Sequence, residues 1–318
     1  MPPTTPHRPL GPVGDLEPDS GGGISWATAV AAFLCRPTAP TTKRTYAILL
    51  GRIGAQLPEG AGLGDLSAYD YQAALVGAYD NAAPATFNLA TGALRGLLNH
   101  AADWEWCPDT VPYRFARLAR PRKITHDHNR ALTREVIERL CTNPRHGLRE
   151  RTLWRMLYET AARANEVLRL DVGDLDLSNR TAHTIRKGGD RDTLHYATGT
   201  ARLLPRLLAG RTGGPVFLSS RPPRTTALPA VIDLDTATGH ARLSYRQAAA
   251  LFTDATNGAT LHQLRHSALT HLANTGTSGP LLMAKSRHAA LTSLQQYVHP
   301  SQTAIAQLTT GLDHNDRT

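Results

Sequence analysis

Between Leu261 and Pro300 the chain reads LHQLRHSALTHLANTGTSGPLLMAKSRHAALTSLQQYVHP, and its chemistry lies in His262, Arg265, His288 and Tyr297. Leu261, Leu264, Ala268 and Leu272 form an apolar helical stripe, and Asn274 to Gly276 supply residues that end it. His262 and Arg265, three apart, then project from neighbouring positions of one helical face. Gly279 and Pro280 predict the start of a second helix, which leads to His288 and, nine residues later, Tyr297. One guanidinium, two imidazoles and a phenol, with no acidic partner among them, suit an anionic substrate better than a peptide or a sugar. His262 and His266 also have the i, i+4 spacing of a zinc-binding helix. Gln263 stands where that motif needs a general-base glutamate, so no metal is expected. Taken singly, each of these side chains is as readily a polar residue on the outer face of a core helix; only the set points to chemistry.

Matching groups occur upstream. Thr160-Ala-Ala-Arg163-Ala-Asn-Glu166-Val-Leu-Arg-Leu170 is followed by Ile185-Arg-Lys187-Gly-Gly-Asp-Arg191. With His262-Gln-Leu-Arg265-His266, His288 and Tyr297, this resembles the tyrosine recombinases, the phage integrase family. Arg163, Lys187, His262, Arg265, His288 and Tyr297 stand in that family's order, closely over residues 130 to 300 and loosely before them. The pattern departs in two places. Ala161 stands where the family has glycine two before the first arginine. Ser286-Arg287 stands where it commonly has Leu-Gly, which allows a different turn and offers Arg287 as a further phosphate contact.

The resemblance implies a site-specific DNA recombinase, of integrase or resolvase type, that cleaves and rejoins DNA through a covalent 3′-phosphotyrosine. Arg163 and Arg265 would hold the non-bridging oxygens bidentately and stay charged at any relevant pH. Tyr297, whose ordinary pKa is near 10, needs a neighbouring imidazole to lose its proton, and His262 suits that acid/base role. By resemblance Lys187 would protonate the leaving sugar oxygen, His288 would hydrogen-bond a non-bridging oxygen, and Glu166 would orient its neighbours. The expected partners are double-stranded DNA with specific recombination sites, further copies of the chain in a tetramer on DNA, and accessory DNA-bending proteins; the expected setting is a mobile element or chromosomal resolution. No cofactor, metal or ATP is expected, because the phosphotyrosine conserves the bond energy. A type IB topoisomerase shares this chemistry, and a DNA-binding relative without turnover shares the fold. The small helical N-terminal region favours the recombinase over the first, and the intact set of six residues argues against the second.

The elements that position these groups follow from composition and pattern. A chain of 318 residues is long enough for two domains, each with its own core. A net charge of +9 favours an anionic partner. Cys35, Cys107 and Cys141 are scattered and odd in number, which argues against a disulfide framework or zinc ribbon and for a reducing cytoplasm, where the resemblance implies association with the nucleoid. No apolar run approaches a membrane span, so no membrane partner is expected.

Residues 1–23 hold six prolines and five glycines and are expected to be disordered. Residues 24–118 read as an all-α DNA core-binding domain of four or five helices, from stripes through Trp26, Val30 and Phe33; Tyr46, Leu49, Leu50 and Ile53; and Phe87, Leu94, Leu97, Leu98 and Ala101. Lys43, Arg44 and Arg95 are its candidate phosphate contacts. The stretch Arg114 to Arg130 is the densest basic segment and reads as a linker along a phosphate backbone, with residues 119–130 as its span and Arg120, Arg122 and Lys123 as DNA contacts.

Residues 131–299 read as a mixed α+β catalytic domain, so the fold class is mainly α with a small antiparallel sheet. Thr133 caps a first helix, and a longer one carries Leu153, Leu157 and Ala161 on to Arg163. Thr181–Arg186 and Thr193–Tyr196 form a hairpin around Gly188-Gly189, and Gly214–Ser219 is a candidate third strand. Ser220–His240 is an irregular excursion, and Ser244–Ala255 is helical. Residues 300–318 carry an apolar stripe, Ala304, Ile305 and Leu308, on a short docking segment.

Overall fold

The computed structural model describes residues 23–124, 131–185, 191–223 and 230–287, and the chain divides into two compact units, Met1–Thr125 and His126–Thr318. The first unit is all-α: α1 (Trp26–Cys35), α2 (Pro40–Gly54), α3 (Ala68–Tyr79), α4 (Pro84–Asp103) and α5 (Thr110–Leu118). Local chemistry sets their starts. The Ser25 hydroxyl accepts from the Thr28 amide, Ser67 and Asp70 close a reciprocal cap on α3, and Pro40 and Pro84 open α2 and α4.

The core of this unit is Leu50, Ile53, Leu75, Leu94, Leu97, Leu98 and Phe115, all fully buried. At about 1.5–3 kcal/mol for each side chain of this kind removed from water, packing rather than helix propensity holds the five helices together. The buried phenols of Tyr71 and Tyr79 donate to the carbonyls of Leu63 (2.8 Å) and Leu49 (3.3 Å), so burial leaves neither hydroxyl without a partner. Arg114 and Arg117 lie on α5, whose other face buries Val111 and Phe115. This corrects the reading of 114–118 as linker: the basic residues there are the outer face of a packed helix.

The second unit contains α6 (Arg134–Thr142), α7 (Leu148–Thr160), α8 (Ala164–Leu168), strands β1 (Leu175–Asp176), β2 (Thr181–Ile185) and β3 (Arg191–His195), then α9 (Thr198–Leu208), α10 (Tyr245–Thr256), α11 (Leu261–Asn274) and α12 (Gly279–Ser286). Thr133 caps α6 as its sequence requires, accepting from the Val136 amide, and Ser244 with Gln247 caps α10. The sheet is antiparallel in the order β1-β2-β3, with Ile185 opposite Arg191 and Thr181 opposite His195. Trp154, Leu157, Leu194, Leu204, Phe217, Phe252 and Leu264 form the buried centre around which α7, α9, α10 and α11 assemble. The carboxylate of Glu159, near the end of α7, accepts the amides of Ala197 (2.9 Å) and Thr200 (3.1 Å) at the start of α9. A negative charge at a helix N-terminus both satisfies those donors and opposes the helix dipole.

One expectation is corrected here. The third strand is β1; Gly214–Ser219 forms only isolated bridges, with Pro215 opposite Asp171 and Leu218 opposite Arg242. The reason is local: Gly214 is left-handed at φ +73°, which turns the chain out of the extended run that a strand requires. Residues 230–242, within and beyond the expected excursion, are fastened by Arg242. Its guanidinium donates to Asp233 (2.7 Å), Asp171 (2.7 Å) and the carbonyls of Leu168 and Leu170. Among the described residues no helix is long and apolar enough to cross a membrane.

Candidate active site

The expected single helix reaching Arg163 is two helices. α7 stops at Thr160, Ala161 takes the left-handed conformation at φ +51°, and Arg163 is the N-cap of α8. Thr160 makes the stop possible, because its hydroxyl donates to the Met156 carbonyl (2.6 Å) and accepts from the Ala162 amide (3.2 Å) across the turn. Glycine two before the arginine is the residue such a turn favours; here alanine adopts the same backbone, at a cost of about 1 kcal/mol. The turn presents the Ala161 carbonyl to Arg265, whose guanidinium donates to it and, at 2.6 Å, to the Ser286 carbonyl at the end of α12. Arg265 is 1% exposed although it sits on α11. A single buried guanidinium thus joins α11, the α7–α8 turn and α12.

Arg163, with half of its side chain exposed, is held at its inner end by Glu166: the carboxylate accepts both the Arg163 amide (3.0 Å) and its guanidinium (2.9 Å). Burial pushes the Glu166 carboxyl up. The charge of Arg287 and then the hydrogen bonds from Arg163 outweigh it and hold the group below its usual range. His262, one helical turn before Arg265, keeps an exposed edge at the mouth of this arrangement. Desolvation, followed by the nearby charges of Arg265 and Arg163, lowers its pKa, so the imidazole is neutral near pH 7 and able to accept a proton. Its neighbour His266 is half-buried. Among the described residues no group of three or more His, Cys, Asp or Glu side chains is gathered as a metal ion would need.

The structure therefore brings together Arg163, Glu166, His262 and Arg265, which lie up to 102 positions apart in the chain. Lys187, His288 and Tyr297 lie outside the described residues. Lys187 belongs in sequence between β2 and β3, and His288 follows Arg287 directly.

Arg287 departs from expectation. It takes φ +58°, the left-handed conformation for which a glycine is suited. Its side chain, 5% exposed, runs inward to Glu166 at 2.9 Å and Asp192 at 3.4 Å instead of outward to a phosphate. Sequence reading missed Asp192 altogether; a carboxylate beside a Gly-Gly turn looks like any exposed hairpin residue.

The candidate DNA contacts of the other unit divide likewise. Lys43 and Arg44 lie on α2, Arg44 exposed, and Arg95 is half-buried on α4. Arg120 and Lys123 are exposed. Arg122 is turned back on its own unit: it pairs with Asp80 (2.6 Å), lies 3.7 Å over the Phe87 ring, and exchanges backbone hydrogen bonds with the Asn88 side chain. Its charge is engaged by a carboxylate and an aromatic face, which fasten it to its own unit.

Comparison with known proteins agrees with this architecture. Residues 130–304 match the model of the phage integrase family. Tyrosine recombinase XerD of Mycobacterium leprae is 31% identical over 198 residues, 60% of each chain, and tyrosine recombinase XerC of the same organism is 30% identical over 161 residues, 48% of this chain and 50% of that one. The chain thus spans 50–60% of these two relatives. Among solved structures, the Tn1549 transposon integrase in complex with circular intermediate DNA superposes with a TM-score of 0.68 at 16% identity, covering 90% of this chain and 99% of that one. A lambda integrase tetramer bound to a Holliday junction gives 0.68 at 15% identity, covering 88% and 78%. At such identities the likeness is one of fold. The family match, spanning more than half of the 318 residues and containing the α7–α8 turn, the hairpin and the α11 histidine and arginine, means that the chain belongs to the phage integrase family, the tyrosine recombinases.

Proposed function

We propose that the protein is a site-specific DNA recombinase that breaks and rejoins DNA strands by transesterification through a 3′-phosphotyrosine. The observation that carries this reading is the buried Arg265 set beside the Glu166-held Arg163, with His262 one helical turn before Arg265 on α11. Two guanidiniums fixed before substrate arrives stabilise the extra charge on the non-bridging oxygens of a five-coordinate phosphorus, and fixed charges of this kind need no reorganisation during the reaction. The Tyr297 phenol gives its proton to His262 and its oxygen attacks phosphorus. The bond from phosphorus to the 5′ sugar oxygen breaks, and that oxygen takes a proton from Lys187, leaving the 3′ phosphate on the tyrosine. His288 donates to a non-bridging oxygen. Attack by the 5′ hydroxyl of another strand reverses these transfers, and since one phosphodiester is exchanged for another, neither ATP nor a metal is consumed. Exposed Arg44, Arg120 and Lys123, with half-buried Lys43, would contact backbone phosphates, and Arg95 is a further candidate on α4.

Cleavage of a nicked duplex carrying the recombination site is expected to persist in EDTA, while binding falls steeply as salt rises. Loss of cleavage on chelation, restored by zinc or magnesium, would contradict the proposal.

The assembly would be a tetramer on two duplexes, supported by the lambda integrase tetramer of like fold. The apolar stripe of Ala304, Ile305 and Leu308 lies outside the described residues; a lone helix of this length would be marginal in water, and docking on a neighbouring copy is the proposal. Deleting residues 301–318 is expected to leave binding to one half-site intact and abolish cooperative filling of two. Equal cooperativity in gel-shift titrations of full-length and shortened protein would show that the segment packs on its own chain.

A further inference from the structure

We infer that Arg287 is a positioning residue for the proposed reaction, locking the first arginine, the β2–β3 hairpin and the end of α12 into one arrangement. The basis is a continuous line of charge: Arg163 to Glu166 at 2.9 Å, Glu166 to Arg287 at 2.9 Å, and Arg287 to Asp192 on β3 at 3.4 Å. The two oxygens of Glu166 are divided between the arginines, with Oε1 taking the Arg163 guanidinium while Oε2 takes the Arg163 amide and the Arg287 guanidinium. Neither arginine can move without loosening the carboxylate that holds the other.

Three further bonds tie the same elements. Lys285, two residues before Arg287, donates from Nζ to the His195 carbonyl at the end of β3 (3.0 Å). Thr184 on β2 donates to the Glu166 carbonyl (3.4 Å), and the Ser286 carbonyl accepts from Arg265 (2.6 Å). The last turn of α12 is therefore fastened at once to α8, α11 and β3. The residue after Arg287 is His288, and Lys187 belongs in sequence to the hairpin whose second strand carries Asp192. A glycine at position 287 would keep the turn and lose every one of this side chain's ties.

The left-handed backbone makes a clean test available, since Arg287→Gly adopts φ +58° without strain and removes only the side chain. The inference rests on the proposed transesterification, so wild-type protein must first form the covalent adduct on a nicked duplex; failure there overturns the reaction itself. Given that activity, Arg287→Gly is expected to bind the same duplex with unchanged affinity and cleave it about 10²-fold more slowly in single turnover, the order of loss that misplaced groups produce. Arg287→Lys, which keeps charge and stem but cannot span both carboxylates with one planar fork, should recover part of the rate.

The discriminating measurement is a cycle with Glu166→Gln. If Arg287 acts through Glu166, the double variant is no slower than the worse single one, and multiplicative losses would overturn the inference. The acid side of the rate profile gives a second reading. Around Glu166 stand Arg163 on its own helix, Arg287 with Lys285 behind it on α12, Asp192 on β3 across Arg287, and His262 on α11 across Arg163. Removing Arg287 takes away a charge that favours the ionised carboxylate, so activity should fail at higher pH than in wild type, and this displacement should vanish in the Glu166→Gln background. A cleavage rate for Arg287→Gly equal to wild type would also overturn the inference.

Discussion

Tyr297→Phe is expected to bind DNA as wild type does and to form no covalent adduct at all. The phenyl ring keeps the size of the side chain and removes only the oxygen that would attack phosphorus, so DNA binding through surface cations should persist while the chemical step has no nucleophile. Among the described residues the site around Arg163 and Arg265 contains imidazole, guanidinium and carboxylate groups, and the Thr160 hydroxyl is fully buried and committed to the Met156 carbonyl. A covalent band from the Phe variant on a nicked duplex, whose broken strand diffuses away and traps the adduct, would remove Tyr297 from its role.

The second large effect separates the two arginines by burial. Arg163→Ala and Arg265→Ala are each expected to slow single-turnover cleavage about 10²- to 10³-fold, the range seen when one preorganised donor to a developing charge is removed. Their effects on stability should differ. The Arg163 side chain is half exposed and its ion pair reaches water, so its loss should change stability by less than about 1 kcal/mol. Arg265, 1% exposed, satisfies the carbonyls of Ala161 and Ser286, and alanine there leaves both acceptors without this donor beside a cavity. A loss of about 2–5 kcal/mol is expected in urea unfolding. Equal stability losses in the two variants, or unchanged cleavage in either, would show that the division into an outer, substrate-facing arginine and an inner, scaffold-bound one is mistaken.

Much of this architecture was legible because its signals are local. The stripes through Leu49, Leu50 and Ile53, and through Leu94, Leu97 and Leu98, mark the buried faces of α2 and α4. Thr133 and Ser244 mark helix starts through hydrogen bonds spanning three residues, and paired β-forming segments around Gly188-Gly189 give β2 and β3. The catalytic candidates could be picked out only as an ordered set resembling a family, since arginine and histidine are common in this chain.

What escaped the sequence is non-local. α3 was overlooked among alanines and glycines, although the Ser67–Asp70 cap and the Tyr71, Leu75 and Tyr79 face were there to be read. The break after Thr160 is invisible to an apolar stripe that continues through Ala161, because the turn depends on a threonine hydroxyl and a left-handed alanine. Arg122 and Arg287 were read as outward cations because their partners, Asp80 and Glu166, lie 42 and 121 residues away. A lone arginine in sequence is a surface charge by default, and only the folded chain reveals the carboxylate that turns it inward.

The proposed reaction requires that one phenol take one DNA phosphate. Its most direct test is to trap the adduct on a nicked duplex in EDTA, digest it with protease, and locate the nucleotide-bearing peptide by mass spectrometry. The expected product is a phosphotyrosine at Tyr297 joined to the 3′ end of the broken strand. A modified residue elsewhere, or linkage through a 5′ phosphate, would contradict it.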